Sequence, residues 1–188
     1  MKTREEKLEI MKPYIYDILE YDKYLKIKEI IHHYNSSIFD HCVDVAYSSY
    51  VITKSLGLDY KSTVRGAMLH DFFLYNWRTH IPEEGLHGFV HPLIAYRNAK
   101  EKFDLNKKET DIILKHMFPL TIKPPKYIES IVVCLSDKIC ATVEVVSYIF
   151  KLLSLLSFKF KKGIMYSDFV FDFSYILLIN MGLIKALI

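Results

Sequence analysis

Glycine and proline are scarce, six of each in 188 residues, which leaves little room for linkers or disorder, so the chain is expected to fold throughout. Cysteine is scarcer still. Cys42, Cys134 and Cys140 form no CxxC pair, and three thiols in apolar surroundings suit buried cysteines of a reducing compartment, with the cytoplasm as the expected location. Neither sign of charge dominates: 25 Lys and Arg against 22 Asp and Glu leave +3. The basic residues are scattered, which excludes the basic stripe of a dedicated binder of nucleic-acid duplexes and stays compatible with a small anionic substrate. The opening stretch "MKTREEKLEIMKPY" has no continuous apolar core of the signal-peptide kind, so no export is expected. Strand-like alternation is rare as well.

What the chain has is hydrophobic side chains, 51% of the total with 14% aromatic, recurring mostly at spacings of three and four. This predicts an all-α fold. The length suits one domain over 1–188. Helices are expected at Arg4 to Glu20, Asp22 to His33, Ser37 to Leu56, Lys61 to His70, Pro92 to Phe103, Lys107 to Met117, Pro125 to Leu156 and Phe169 to Leu187. The end signals agree locally: "NSS" caps before Ile38, Gly57 stops the helix after Leu56, and Pro92 suits a first helical turn. The tail "FVFDFSYILLINMGLIKALI" has the length of a membrane span but contains Asp172, Asn180 and Lys185, which favours a core helix or a homodimer interface over membrane attachment.

Into this apolar background the sequence sets ionisable groups at inward positions. His41 shares a helical stripe with Val45, Ser49 and Ile52, which points its imidazole inward. Asp71 follows Val64, Ala67 and Met68 at spacings of seven, four and three, with His70 beside it. A carboxylate buried there needs a partner, because leaving it unpaired costs several kcal/mol. His91 precedes Pro92 at an expected helix N-terminus, where the dipole favours the neutral ring that metals bind. His116 ends its helix in "LKHMFP", and Asp137 interrupts the apolar run "SIVVCLSDKICATVEVV". Each alone has an ordinary account as a hydrogen-bonded core histidine or a solvated aspartate. Together, four histidines and two aspartates form a donor set for one or two divalent ions, with Mn, Fe, Co or Ni suiting mixed nitrogen and oxygen ligands better than Ca.

The order His41, His70-Asp71, His91, His116, Asp137 resembles the HD-domain superfamily of metal-dependent phosphohydrolases, on the segments "AMLHDFF", "HPLIAYRNA", "ILKHMFP" and "CLSDKI". The resemblance spans roughly 38–150, with C-terminal apolar helices over 151–188. It implies a helical HD-type bundle in which His41, His70, Asp71 and Asp137 hold a first metal. Asp71 would bridge to a second, completed by His91 and His116. The chemistry implied is hydrolysis of a phosphomonoester or phosphodiester, with a nucleotide as the expected small phosphorylated substrate. The family's binuclear branches include dinucleoside tetraphosphate hydrolases, cyclic-dinucleotide phosphodiesterases and a few di-iron oxygenases. This chain departs from several: "FFLYNW" follows the doublet where many hydrolases have a Gly and a Lys, and the adjacent histidine pair of the cyclic-dinucleotide branch is missing. A non-catalytic nucleotide- or partner-binding module is the rival from another class, and di-iron oxygenation uses nearly the same ligands.

Outside the donor set, Arg78 is a candidate to fork onto a phosphate and His87 to donate a proton to the leaving oxygen, beside Asp71 as the central carboxylate. Arg78 has an alternative as an exposed residue paired with Glu83 or Glu84, and His87 as a helix cap. Gly88 and Pro92 argue against one helix carrying both His87 and His91 to a single metal. Phe72, Phe73, Tyr75 and Trp77 are read mainly as core, and Lys115 and Lys138 as either phosphate contacts or solvated charges. Glu144, two turns after Asp137, is read as an ion pair or a substrate contact.

Overall fold

The computed structural model describes residues 2–31 and 36–161. Among them the chain forms seven α-helices and a short 3-10 helix with no strand: α1 (Arg4–Leu19), α2 (Asp22–Leu25), α3 (Ile38–Ser55), α4 (Tyr60–Leu69), α5 (His87–Lys100), α6 (Lys107–Lys115) and α7 (Ile128–Lys161). The all-α expectation holds. The chain divides into two compact units, 1–142 and 143–188. The first holds α1 to α6 and the start of α7; of the second, α7 is described as far as Lys161. The helix expected at Phe169 to Leu187, and with it the homodimer interface, lies outside the described residues. Among those that are described, no helix is long and apolar enough to cross a membrane.

Local chemistry sets most helix starts. Thr3 with Glu6, Ser37 with Asp40 and Asn106 with Glu109 form reciprocal capping boxes at α1, α3 and α6, each satisfying two backbone N–H groups. Asp59 caps α4 by accepting from the Ser62 amide at 3.1 Å. Gly57, at φ 67°, takes the left-handed conformation that ends α3 without a Cβ penalty.

Packing changed two boundaries and one helix face. The segment expected as one helix from Asp22 to His33 tightens after Leu25 into a 3-10 turn over Lys26–Lys28, because that geometry sets i and i+3 on one face and here buries Tyr24 and Ile27 completely. The Tyr24 hydroxyl then donates to the Met68 carbonyl at 2.6 Å, joining α2 to α4. The α3 stripe runs on through Thr53, while Ile52 is 41% exposed. Finally, α5 begins at His87, not at Pro92. Gly88, His91, Pro92, Ala95 and Ala99 form one buried helical face, and that burial outweighs the single backbone bond lost at proline.

The core of the first unit gathers Met11, Ile15 and Ile18 of α1 with Val45 and Ala46 of α3, Val64 and Met68 of α4, and Ile112 and Ile113 of α6, all fully buried. Arg65 ties three of these helices together. Its guanidinium donates to Asp17 and to the Tyr14 carbonyl on α1, and to Glu109 on α6 at 3.1 Å. The start of α7 is tied in by Glu129, whose buried carboxylate accepts from Lys108 at 2.6 Å and from the Asp59 amide at 3.2 Å.

Candidate metal centre

Five helices deliver their inward ionisable groups to one place. His41 comes from the first turn of α3, His70 from the C-cap of α4 with Asp71 in the turn beyond it, His91 from α5, His116 from the C-cap of α6 and Asp137 from α7. His41 and His70 are fully buried, His116 is 1% exposed, and Asp71 and His91 are 4% exposed. The Asp137 side chain keeps 13% of its surface exposed. All six expected donors therefore converge.

Their arrangement centres on Asp71. Its Oδ2 lies 3.6 Å from His70 Nε2, while Oδ1 lies 3.2 Å from His91 Nε2 and 3.5 Å from His116 Nε2. Asp137 Oδ1 sits 3.0 Å from His41 Nε2 and 3.8 Å from His70 Nε2. Three sets of donor atoms come close enough to enclose an ion: His41, His70 and Asp71; Asp71, His91 and His116; and His70, His116 and Asp137. Asp71 belongs to two of them.

The backbone sets which ring nitrogen is presented. His70 Nδ1 donates to the Ala67 carbonyl at 2.6 Å, His91 Nδ1 to the His87 carbonyl at 2.8 Å and His116 Nδ1 to the Ile113 carbonyl at 2.8 Å. With Nδ1 so engaged, each ring in the neutral form that binds metal turns its Nε2 lone pair toward the shared space. Two observations show that a cation fits there. His70 Nε2 is buried without a hydrogen-bond partner. His91 and His116 point Nε2 atoms at each other across 2.8 Å, a repulsive meeting of lone pairs unless positive charge is shared between them. For His91 this replaces the helix-dipole argument, since that residue lies in the second turn of α5.

Electrostatics separates the imidazoles. Burial and the neighbouring His70 and His91 rings lower the pKa of His116 to about 3. Burial also opposes charge on His70, yet the Asp71 carboxylate, with Cys42 and Asp137, reverses this and holds its pKa well above the ordinary value. Burial raises Asp137, but the hydrogen bond with His41 and the nearby His70 ring overcome it and leave its carboxyl well below the usual range.

The other candidates fall beside the cluster. His87 is the first residue of α5, so Gly88 and Pro92 do not interrupt the helix that carries both His87 and His91, yet only His91 belongs to a donor set. Their rings stack at 4.4 Å and 18°, and Trp77 stacks on His87 at 5.3 Å and 17°. His87 Nδ1 lies 2.8 Å from the Tyr75 hydroxyl, outside the three donor sets. Arg78 is exposed, with its guanidinium 5.4 Å from the centre of the Trp77 ring, and Glu84 pairs with Arg97 at 3.0 Å. Phe72 and Phe73 are core residues, whereas Tyr75 and Trp77 are half-buried. Glu144 is half-buried on α7 in the second compact unit. Two residues matter more than sequence reasoning allowed: Tyr75, which holds His87, and Lys138, whose ammonium turns to the His116 backbone. The place of Lys138 directly after Asp137 was the only available signal.

A family model described as HD domain matches residues 38–142, more than half of the chain. The chain belongs to the HD domain family, whose superfamily comprises metal-dependent phosphohydrolases. Comparisons with curated proteins and with solved structures found no match.

Proposed function

We propose that this protein hydrolyses a phosphoester in a small phosphorylated molecule, a nucleotide in the favoured case, with two divalent ions. The observation that carries this reading is the position of Asp71, whose two oxygens face two different sets of imidazole nitrogens. His41, His70, Asp71 and Asp137 would hold one ion, and Asp71, His91 and His116 the other. Four nitrogen and two carboxylate ligands suit Mn, Fe, Co or Ni. Such ions, when bound, lower the pKa of a shared water and neutralise charge on the phosphoryl group.

The chain's own residues then supply position and hydrogen bonds. Asp71 holds the two ligand sets in one frame. Burial and the charges of Asp71 and Glu84 raise the Tyr75 pKa, so its hydroxyl keeps its proton and can donate it to His87 Nδ1. That leaves the N–H of His87 on Nε2, and we assign to it a hydrogen bond that stabilises the leaving oxygen. Stacking between Trp77 and His91 restricts the imidazole to one plane. Arg78, whose guanidinium lies 5.4 Å from the centre of the Trp77 ring, is assigned to a phosphate remote from the cleaved bond.

A screen of nucleotides and generic phosphoesters with Mn²⁺, with and without chelator, tests the proposal. Turnover that chelator removes and Mn²⁺ restores is expected. Stoichiometric nucleotide binding with the ligand recovered intact would replace it with a binding module, and dioxygen consumption with a di-iron spectrum would replace it with an oxygenase.

A further inference from the structure

Lys138 is a half-buried lysine whose ammonium is taken up by backbone and sulfur acceptors, and no described ion pair joins it to a carboxylate. Its Nζ donates to the His116 carbonyl at 2.8 Å and to the Cys134 carbonyl at 3.3 Å, with Cys134 Sγ at 3.2 Å. A lysine ordered in this way gives up the rotamer freedom of a long side chain, so the contact needs a return. The return lies in what it holds.

His116 is the C-cap of α6, where the last carbonyls have no helical partner. Its amide donates to the Ile112 carbonyl at 3.1 Å and its Nδ1 to the Ile113 carbonyl at 2.8 Å, both within α6. The Lys138 ammonium secures the remaining backbone group, from another helix and 22 residues away. Every polar group of His116 except Nε2 is then engaged, and Nε2 is the atom that faces Asp71 and His91. The adjacent Asp137 meets His41 and His70 in the other half of the cluster. One step along α7 therefore reaches both halves, by a carboxylate on one side and a backbone clamp on the other.

We infer that Lys138 is a positioning residue: by clamping the His116 carbonyl it fixes His116 Nε2 for the ion held by Asp71, His91 and His116, while leaving the ion of His41 untouched. This rests on the two-ion reading above. Partners that orient metal ligands typically contribute ten- to a hundred-fold in affinity. A second consequence has the opposite sign. An ammonium that acted only through its charge would repel a cation, and its removal would tighten binding.

The test compares wild type with Lys138→Met, which keeps the stem and removes the donor. In calorimetric and paramagnetic titrations with Mn²⁺, the variant should bind one ion as wild type does and the other about ten- to a hundred-fold more weakly. Unchanged affinities, a tightened second ion, or loss of both ions in step with the melting temperature would overturn the inference. In the metal-free protein, ¹⁵N imidazole spectra should show His116 moving between ring positions in the variant, with His41 unaltered. An unchanged His116 signal would overturn the positioning role whatever the metal does. Wild type that binds no Mn²⁺, together with a displaced His116 signal in the variant, would refute the two-ion function and support the clamp. Should Lys138→Met not fold, Lys138→Arg, which keeps a donor, against Lys138→Gln, which cannot reach, gives the same comparison.

Discussion

Gly66 is a glycine in the middle of α4, where its backbone freedom destabilises the helix by about 1 kcal/mol relative to alanine. The reason for it lies on α6. A Cβ at residue 66 would meet Ile112 Cδ1 at 2.8 Å and Ile112 Cβ and Cγ2 at 3.0 Å, where carbon contacts settle at about 3.5–4.0 Å. The δ-methyl can rotate away, but Ile112 Cβ is fixed to the α6 backbone. Gly66→Ala therefore forces the helices apart by about 0.5–1 Å. One turn further along each helix stand His70 and His116, whose rings meet edge-on with centroids 4.9 Å apart. Overpacking of this size costs about 1–3 kcal/mol, which the helix-propensity gain of about 1 kcal/mol offsets in part. A net loss of about 1 kcal/mol is expected, with Mn²⁺ affinity lowered at least about tenfold, since displacements near 1 Å in a preorganised site cost up to about a hundredfold. Urea denaturation and Mn²⁺ titration of Gly66→Ala, Ile112→Ala and the double variant provide the assay. The double variant should recover metal affinity and be less destabilised than the sum of the single ones. Gly66→Ala that is more stable than wild type and binds Mn²⁺ equally well would refute this account of the helix spacing.

Asp71→Asn keeps the side-chain shape but removes the charge shared by both donor sets; it should cost at least about a hundredfold in Mn²⁺ affinity and in turnover, with helical circular dichroism retained, and normal Mn²⁺ stoichiometry would contradict the bridging role. For His116, the folded pKa of about 3 lies below the unfolded value near 6.5, so its contribution to stability is complete above about pH 6.5 and is lost as pH falls toward 3. In chelator-treated protein this group should remove about 2 kcal/mol between pH 6.5 and 5, and His116→Asn should flatten that part of the urea-denaturation profile. For His70 the shift is upward, so the metal-free protein carries a proton there at neutral pH that an ion must displace. Calorimetry at pH 7 in buffers of different ionisation enthalpy should detect its release on Mn²⁺ binding, and identical heats in all buffers would argue against it. His87→Gln should lower turnover with Mn²⁺ stoichiometry unchanged; loss of an ion in that variant would move His87 from hydrogen-bond donor to ligand.

The helical class, the capping boxes and the six convergent donors were legible in the sequence, because each depends on short-range chemistry or on helical spacing. Ser37 with Asp40 caps α3 wherever that helix goes, and His41 faces inward because Val45 and Ser49 do. What spacing cannot express is which surface lies opposite. The start of α5 at His87 was missed because Pro92 opposes a helix there on local grounds, and only burial of the Gly88, His91 and Pro92 face reverses that preference. The stack of Trp77, His87 and His91 follows from the same extra turn. Lys138 looks like any lysine beside an aspartate until α7 is laid against the C-cap of α6, and Gly66 looks like a weak point of α4 until Ile112 is packed on it. Backbone and side-chain periodicity determine the direction in which a residue points; the packing of distant helices decides what it meets there, because those contacts join segments tens of residues apart whose mutual register no local preference encodes.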